Sequence, residues 1–181
     1  IVRWPGVTKP GSVNATPVLN IDLFPTFADA AGAKIPAEKI LDGESLQALC
    51  RGEKLKRESV FWHFPGYLDE AVSRGRELDV RTGFRTRPVS VIRKGEWKLH
   101  LYHEEWLLDG GREKLATNNA TELYHLSEDI GEHKNLANTN TAKRDELLDE
   151  LLAWCKATNA KFPTVLDGVS KPRIKVKKNA N

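Results

Sequence analysis

The sequence predicts a small α+β domain, an antiparallel sheet packed by a C-terminal helix. Three stretches predict it. Residues 89–102 (Val-Ser-Val-Ile-Arg-Lys-Gly-Glu-Trp-Lys-Leu-His-Leu-Tyr) read as two strands around a turn at Lys94-Gly95-Glu96. Apolar and polar residues alternate on both arms, as half-buried strands require, and Gly95 supplies the positive φ of a tight turn. On the second arm Trp97, Leu99 and Leu101 share one face, and Lys98, His100 and Tyr102 share the other. Residues 122–126 (Glu-Leu-Tyr-His-Leu) read as a further short strand. Residues 144–157 read as the strongest helix, with Leu147, Leu148, Leu151, Leu152 and Cys155 on one stripe and Trp154 beside it.

The remaining elements follow in order. Ile1-Val2-Arg3-Trp4 reads as the end of a strand closed by Pro5-Gly6, and residues 7–16 read as loop. No adjacent strand is available to pair with it, so its sheet is expected upstream. A helix is expected over residues 23–31, with Asp22 as N-cap, Pro25 in the first turn and Gly32 as the stop. Its Leu23, Phe24 and Phe27 need a cover. Leaving one such side chain in water forgoes roughly 1.5–3 kcal/mol. A short helical turn ends near Leu49, and residues 51–58 are expected to be charged and exposed. Ser59-Val60-Phe61-Trp62-His63-Phe64 is an apolar run that reads as a buried strand. Residues 67–86 form a long charged connection, and residues 104–121 read as a polar surface excursion.

Composition sets outer bounds. At 181 residues the chain is long enough to bury a core without staples. The 28 Lys and Arg against 25 Asp and Glu give +3, but five of the 28 sit in residues 169–181, where no acid occurs. The rest of the chain therefore carries −2, and the basic character belongs to a flexible tail. This balance gives no basis for a nucleic-acid partner. Cys50 and Cys155 are too few and too far apart for a disulfide framework or a zinc pattern, and Cys155 is expected as a buried thiol. No run approaches the length of a membrane span.

Few residues carry chemistry. The chain has no phosphate-binding glycine loop and no nucleophile elbow. His100 and His103 stand beside Glu104 and Glu105, but on an extended strand positions 100 and 103 face opposite ways, which argues against a shared metal. His125 and His133 read as surface histidines. Asn14-Ala15-Thr16 and Asn119-Ala120-Thr121 match a glycosylation acceptor pattern that arises often by chance. His63 is the candidate binding residue, because it ends a strand that feeds the long loop, with a satisfied structural histidine as the plainer reading. Arg74, Arg76, Arg81, Arg85 and Arg87 form a charged stretch able to meet an anion, with solvation as the plainer reading.

The order of segments resembles the C-terminal region of a sulfatase, of the arylsulfatase type within the alkaline phosphatase-like superfamily. The matching segments are Ile1-Val2-Arg3-Trp4-Pro5-Gly6, then Pro17-Val18 through Asp22-Leu23-Phe24-Pro25-Thr26 to Ala31-Gly32. Next come Leu41-Asp42-Gly43-Glu44-Ser45-Leu46, Phe61-Trp62-His63-Phe64-Pro65 and Ile92-Arg93-Lys94-Gly95-Glu96-Trp97-Lys98-Leu99. Glu122-Leu123-Tyr124-His125-Leu126, Asp129-Ile130-Gly131-Glu132 and Asn135-Leu136 complete the series.

The resemblance implies an α/β parent enzyme whose large domain ends within residues 1–58. A small α+β domain with an antiparallel sheet would follow over 59–166, and a basic tail over 167–181. It implies hydrolysis of sulfate esters or sulfamates, with calcium and a formylglycine in the parent and none in this chain. The formylglycine pattern follows neither Cys50 nor Cys155, and Ser170-Lys171-Pro172-Arg173 places its Arg one position early. No Asp-Asn pair occurs. The catalytic residues are therefore expected upstream, with the chain inactive alone and its upstream domain as partner. The expected substrate is a sulfated carbohydrate or aryl sulfate, and the expected location periplasmic or secreted. His63 inherits a substrate-contact role at the pocket edge. Gly66 stands where related sequences carry a second histidine, which weakens any paired-histidine subsite. The alternatives are a non-catalytic carbohydrate-binding or interaction module, or part of a related phosphoesterase.

Overall fold

The computed structural model describes residues 1–66 and 87–164. Its centre is a four-stranded antiparallel sheet whose spatial order follows the sequence: β1 (Ser59–Phe64), β2 (Val89–Lys94), β3 (Trp97–Tyr102) and β4 (Thr121–His125). The hairpin turns at Gly95, with φ +55°. Helices are α1 (Leu23–Ala30), α2 (Gln47–Cys50), α3 (His103–Leu108) and α4 (Thr141–Ala157).

Register decides which side chains meet. One row across the sheet is Phe61, Ile92, Leu99 and Leu123, and the next is His63, Ser90, Leu101 and Thr121. This face receives α4. Ile92, Leu99, Leu101 and Leu123 pack there with Leu147, Leu148, Leu151 and Cys155. The two periodicities, 2 on the strands and 3.6 on the helix, thus meet in one core. At the edge, Phe61 stacks on Trp154 with ring centroids 4.8 Å apart. Trp97 is half-buried against the core, with its ring 4.4 Å from that of His125. Trp97→Ala is therefore expected to cost about 2 kcal/mol, below the ~3–5 kcal/mol of a fully buried aromatic. Urea unfolding followed by circular dichroism checks this, and an unchanged midpoint would place the ring outside the core.

Several expectations need correction. Residues 1–4 form no strand. They lead into a turn in which the Trp4 carbonyl accepts from the amides of Val7 and Thr8. No strand among the described residues pairs with them. β1 is an edge strand that buries only part of its run, with Trp62 and Phe64 about two-fifths exposed (43% and 42%). Residues 104–121 are a folded element, comprising most of α3, a 3-10 turn at Gly111–Lys114 and the buried Leu115, Asn118 and Ala120. α4 begins three residues earlier than expected, because the Asn140 side chain caps it by accepting from the Lys143 amide. Asp22 precedes α1 but makes no side-chain cap to it. Arg57, expected in an exposed stretch, instead holds the buried Asp22 carboxylate.

The segment before β1 keeps a large apolar surface. Leu23, Phe24, Phe27, Ile40 and Leu41 are all exposed, and several line a groove of about 590 Å³. The cover that α1 needs does not come from the described residues.

Candidate functional site

β1 ends at the candidate residue. Because His63 pairs with Ser90 in the register, its side chain points to the α4 face, at the end of the core nearest the loop. Its Nδ1 lies 2.8 Å from Ser90 Oγ and its Nε2 lies 3.0 Å from the Lys161 carbonyl oxygen. The chain turns at Tyr102 into α3, and this turn brings His103 back beneath the sheet. His103 Nε2 is also 2.8 Å from Ser90 Oγ. The Cys155 thiol of α4 lies close enough to the same hydroxyl to feel it. Phe162, just beyond α4, closes the group, with ring centroids 4.5 Å from His103 and 5.8 Å from His63.

Ser90 and His103 are fully buried, whereas His63 is half-buried. Burial, and next the charge of nearby His63, push His103 down to about 4. Burial raises the Cys155 thiol, against the lowering effect of the Ser90 hydroxyl. Both groups are thus neutral near pH 7. Cys50 and Cys155 are free thiols.

The other histidines are elsewhere. His100 lies on the opposite face of the sheet, 3.1 Å from Glu132, which also holds Lys98 at 2.6 Å. It therefore does not share a site with His103, although the strand has ended before His103 is reached. His125 lies half-buried beside Trp97, and His133 is exposed. Among the described residues, no three His, Cys, Asp or Glu side chains are placed to hold a metal ion. Neither Cys50 nor Cys155 stands in the formylglycine pattern. Of the five loop arginines only Arg87 lies within the described residues, where it pairs with Glu105 and stacks over Tyr102 at 4.3 Å.

The His63–Ser90–His103 grouping was not anticipated from sequence. Its one local signal is Ser90 within Val89-Ser90-Val91-Ile92, a hydroxyl at an inward position of a strand otherwise lined by Ile92.

A family model for N-sulphoglucosamine sulphohydrolase, C-terminal, matches residues 1–106. The chain belongs to the sulfatase family. A sulfatase from Formosa agariphila is 35% identical over 174 residues, a match that takes in 88% of this chain and 27% of that protein. Among solved structures, BT4656 in complex with its substrate D-glucosamine-2-N,6-O-disulfate shares the fold at TM-score 0.55 and 21% identity, covering 88% of this chain and 27% of that one. The phosphonate monoester hydrolase SpPMH from Silicibacter pomeroyi matches at TM-score 0.54 and 25% identity, covering 86% and 28%. The sulfatase chain therefore spans about a quarter of the length of these relatives, and corresponds to their C-terminal region.

Proposed function

We propose that the chain is the C-terminal portion of a sulfatase acting on a sulfated carbohydrate, with the catalytic groups in an upstream domain. The match to a family described as an N-sulphoglucosamine sulphohydrolase carries this reading. The domain division at residue 58 and the periplasmic or secreted location belong to the same proposal. So do the calcium and formylglycine of the parent enzyme.

The apolar surface supports the upstream partner. Phe24 and Phe27 are each more than 60% exposed, beside Ile40 and Leu41. An unpartnered patch of this kind is expected where another domain docks. In this reading residues 1–58 complete the large catalytic domain, with their apolar surface against its upstream part, and the sheet and α4 carry His63 to the pocket edge. Both ring nitrogens of His63 already have partners within the chain. Contact with substrate would therefore use the outer one, Nε2, in exchange for the Lys161 carbonyl.

The match to SpPMH favours a second reading, a related ester hydrolase acting on phosphonate monoesters. One experiment separates the two. The 181-residue chain is expected to give no turnover of a chromogenic aryl sulfate with calcium. The full-length protein is expected to hydrolyse a sulfated glucosamine in preference to a phosphonate monoester. In that protein His63→Ala is expected to raise KM about tenfold, the worth of one lost charge-assisted hydrogen bond. Turnover by the short chain, or preference for the phosphonate, would overturn the first reading.

A further inference from the structure

We propose that Ser90 and His103 are positioning residues for His63, fixing its ring so that Nε2–H faces outward as a hydrogen-bond donor to an oxygen acceptor. The inference rests on reading His63 as the substrate contact, and it names the protein groups that would make that contact directional.

The Lys161 carbonyl sets the direction, because a carbonyl oxygen only accepts. The His63 nitrogen 3.0 Å from it must therefore carry the proton. In neutral His63 this leaves Nδ1 bare, and a bare ring nitrogen only accepts. Ser90 must then donate its single O–H proton to Nδ1 across 2.8 Å. With that proton committed, Ser90 Oγ is an acceptor toward His103, so His103 Nε2 carries a proton and donates across 2.8 Å. A hydroxyl has one donor and two acceptor sites, and the two imidazoles take the donor and one acceptor.

An atom outside the chain of bonds agrees with this assignment. His103 Nδ1 is buried and has no hydrogen-bond partner among the described residues. The derived tautomer leaves that atom as a bare acceptor. The opposite tautomer would strand an N–H in the core, which is the rarer and costlier arrangement. Phe162 packs against both imidazoles. Only the outer end of the relay, His63 Nε2–H, reaches the exposed side. What it offers there is a donor, suited to a sulfate or hydroxyl oxygen and unsuited to an ammonium group.

Nitrogen-15 NMR of the chain labelled at histidine tests the proposal at neutral pH. His63 and His103 are both expected as Nε2–H tautomers, with His63 Nδ1 shifted by the Ser90 bond. In Ser90→Ala that shift should vanish, and exchange of the His63 Nε2–H with water should quicken about tenfold. An Nδ1–H tautomer at either histidine of the unaltered chain would overturn the proposal, and this measurement needs no variant. Unchanged exchange and an unchanged Nδ1 shift in a folded Ser90→Ala chain would also overturn it. If the tautomers are as derived but His63→Ala leaves kcat/KM of the full-length protein unchanged, the positioning network stands and the substrate-contact reading fails.

Discussion

Asp22→Ala is expected to destabilise the segment before the sheet by about 3–5 kcal/mol, the cost of removing one partner from a buried ion pair. The carboxylate is fully buried. Arg57 grips it with two bonds, Nη1 to Oδ1 at 2.6 Å and Nη2 to Oδ2 at 2.7 Å. The amides of Leu19 and Glu44 donate to the same oxygens at 2.8 and 3.0 Å. Removal would leave a guanidinium and two amides without their acceptor. Burial opposes the charge on Asp22, but the Arg57 bond and the two amides outweigh it and hold the carboxyl down at about 2. Its folded value is depressed, so this stabilisation is complete above pH 3.8 and fades as pH falls through about 2. Hydrogen exchange at the Leu19 and Glu44 amides reads the local effect, and urea unfolding reads the global one. A loss below about 1 kcal/mol would show that the pair only marks the surface. Asp22→Ala with Arg57→Met should recover part of the loss, because no charge is then left buried alone.

The same clamp explains two segments of the family resemblance in physical terms. Asp22 stands in Asp22-Leu23-Phe24-Pro25-Thr26, and Gly43 and Glu44 in Asp42-Gly43-Glu44-Ser45-Leu46. The Glu44 amide reaches Asp22 because the backbone at Gly43 runs against that of Ile21. A Cβ at Gly43 would lie 2.1 Å from the Ile21 carbonyl oxygen. The Thr26 hydroxyl adds a second tie by accepting from the Leu46 amide at 2.9 Å. Glu44 in turn accepts from the amides of Lys56 and Arg57. Residues far apart in sequence are thus tied into one unit by a carboxylate.

What was legible in the sequence follows from the range of each interaction. The hairpin and α4 are repeating patterns, and Ile92, Leu99, Leu147 and Leu151 fall where periodicity puts them. Asp22 was legible only as a cap, because its partner Arg57 lies 35 residues away and no local rule points to it. The run from Ser59 to Phe64 looked buried on both sides because it is apolar on both sides. Apolar character alone cannot distinguish burial within the chain from exposed apolar surface, and Trp62 and Phe64 are the exposed ones. α3 was obscured by Glu104 and Glu105, which sit in its first turn, where the helix dipole favours them. The relay from His63 to His103 required the register of β1 on β2 and the turn after Tyr102, neither of which a single sequence specifies.

Stability of the chain is expected to fall by about 1–3 kcal/mol as pH drops from 6.5 toward 4, with His103 as the main cause. Burial, and then the charge of His63, bring His103 from 6.5 to about 4 in the folded chain. A base whose folded value is depressed leaves the unfolded chain holding more protons between the two values, so stability rises with pH across that interval. The contribution is complete above 6.5 and gone below about 4. His100 is lowered as well, by burial first and by Lys98 second, and adds in the same direction. The Asp22 contribution fades at lower pH, between 3.8 and about 2, so the two effects separate on the pH axis. Thermal or urea unfolding at half-unit steps from pH 7.5 to 4 measures the slope. His103→Gln should flatten most of it while lowering stability at pH 7, because the buried ring that packs on Phe162 is lost. A slope unchanged by His103→Gln would assign the effect to His100, and no slope at all would show that His103 binds its proton equally in the folded and unfolded chains.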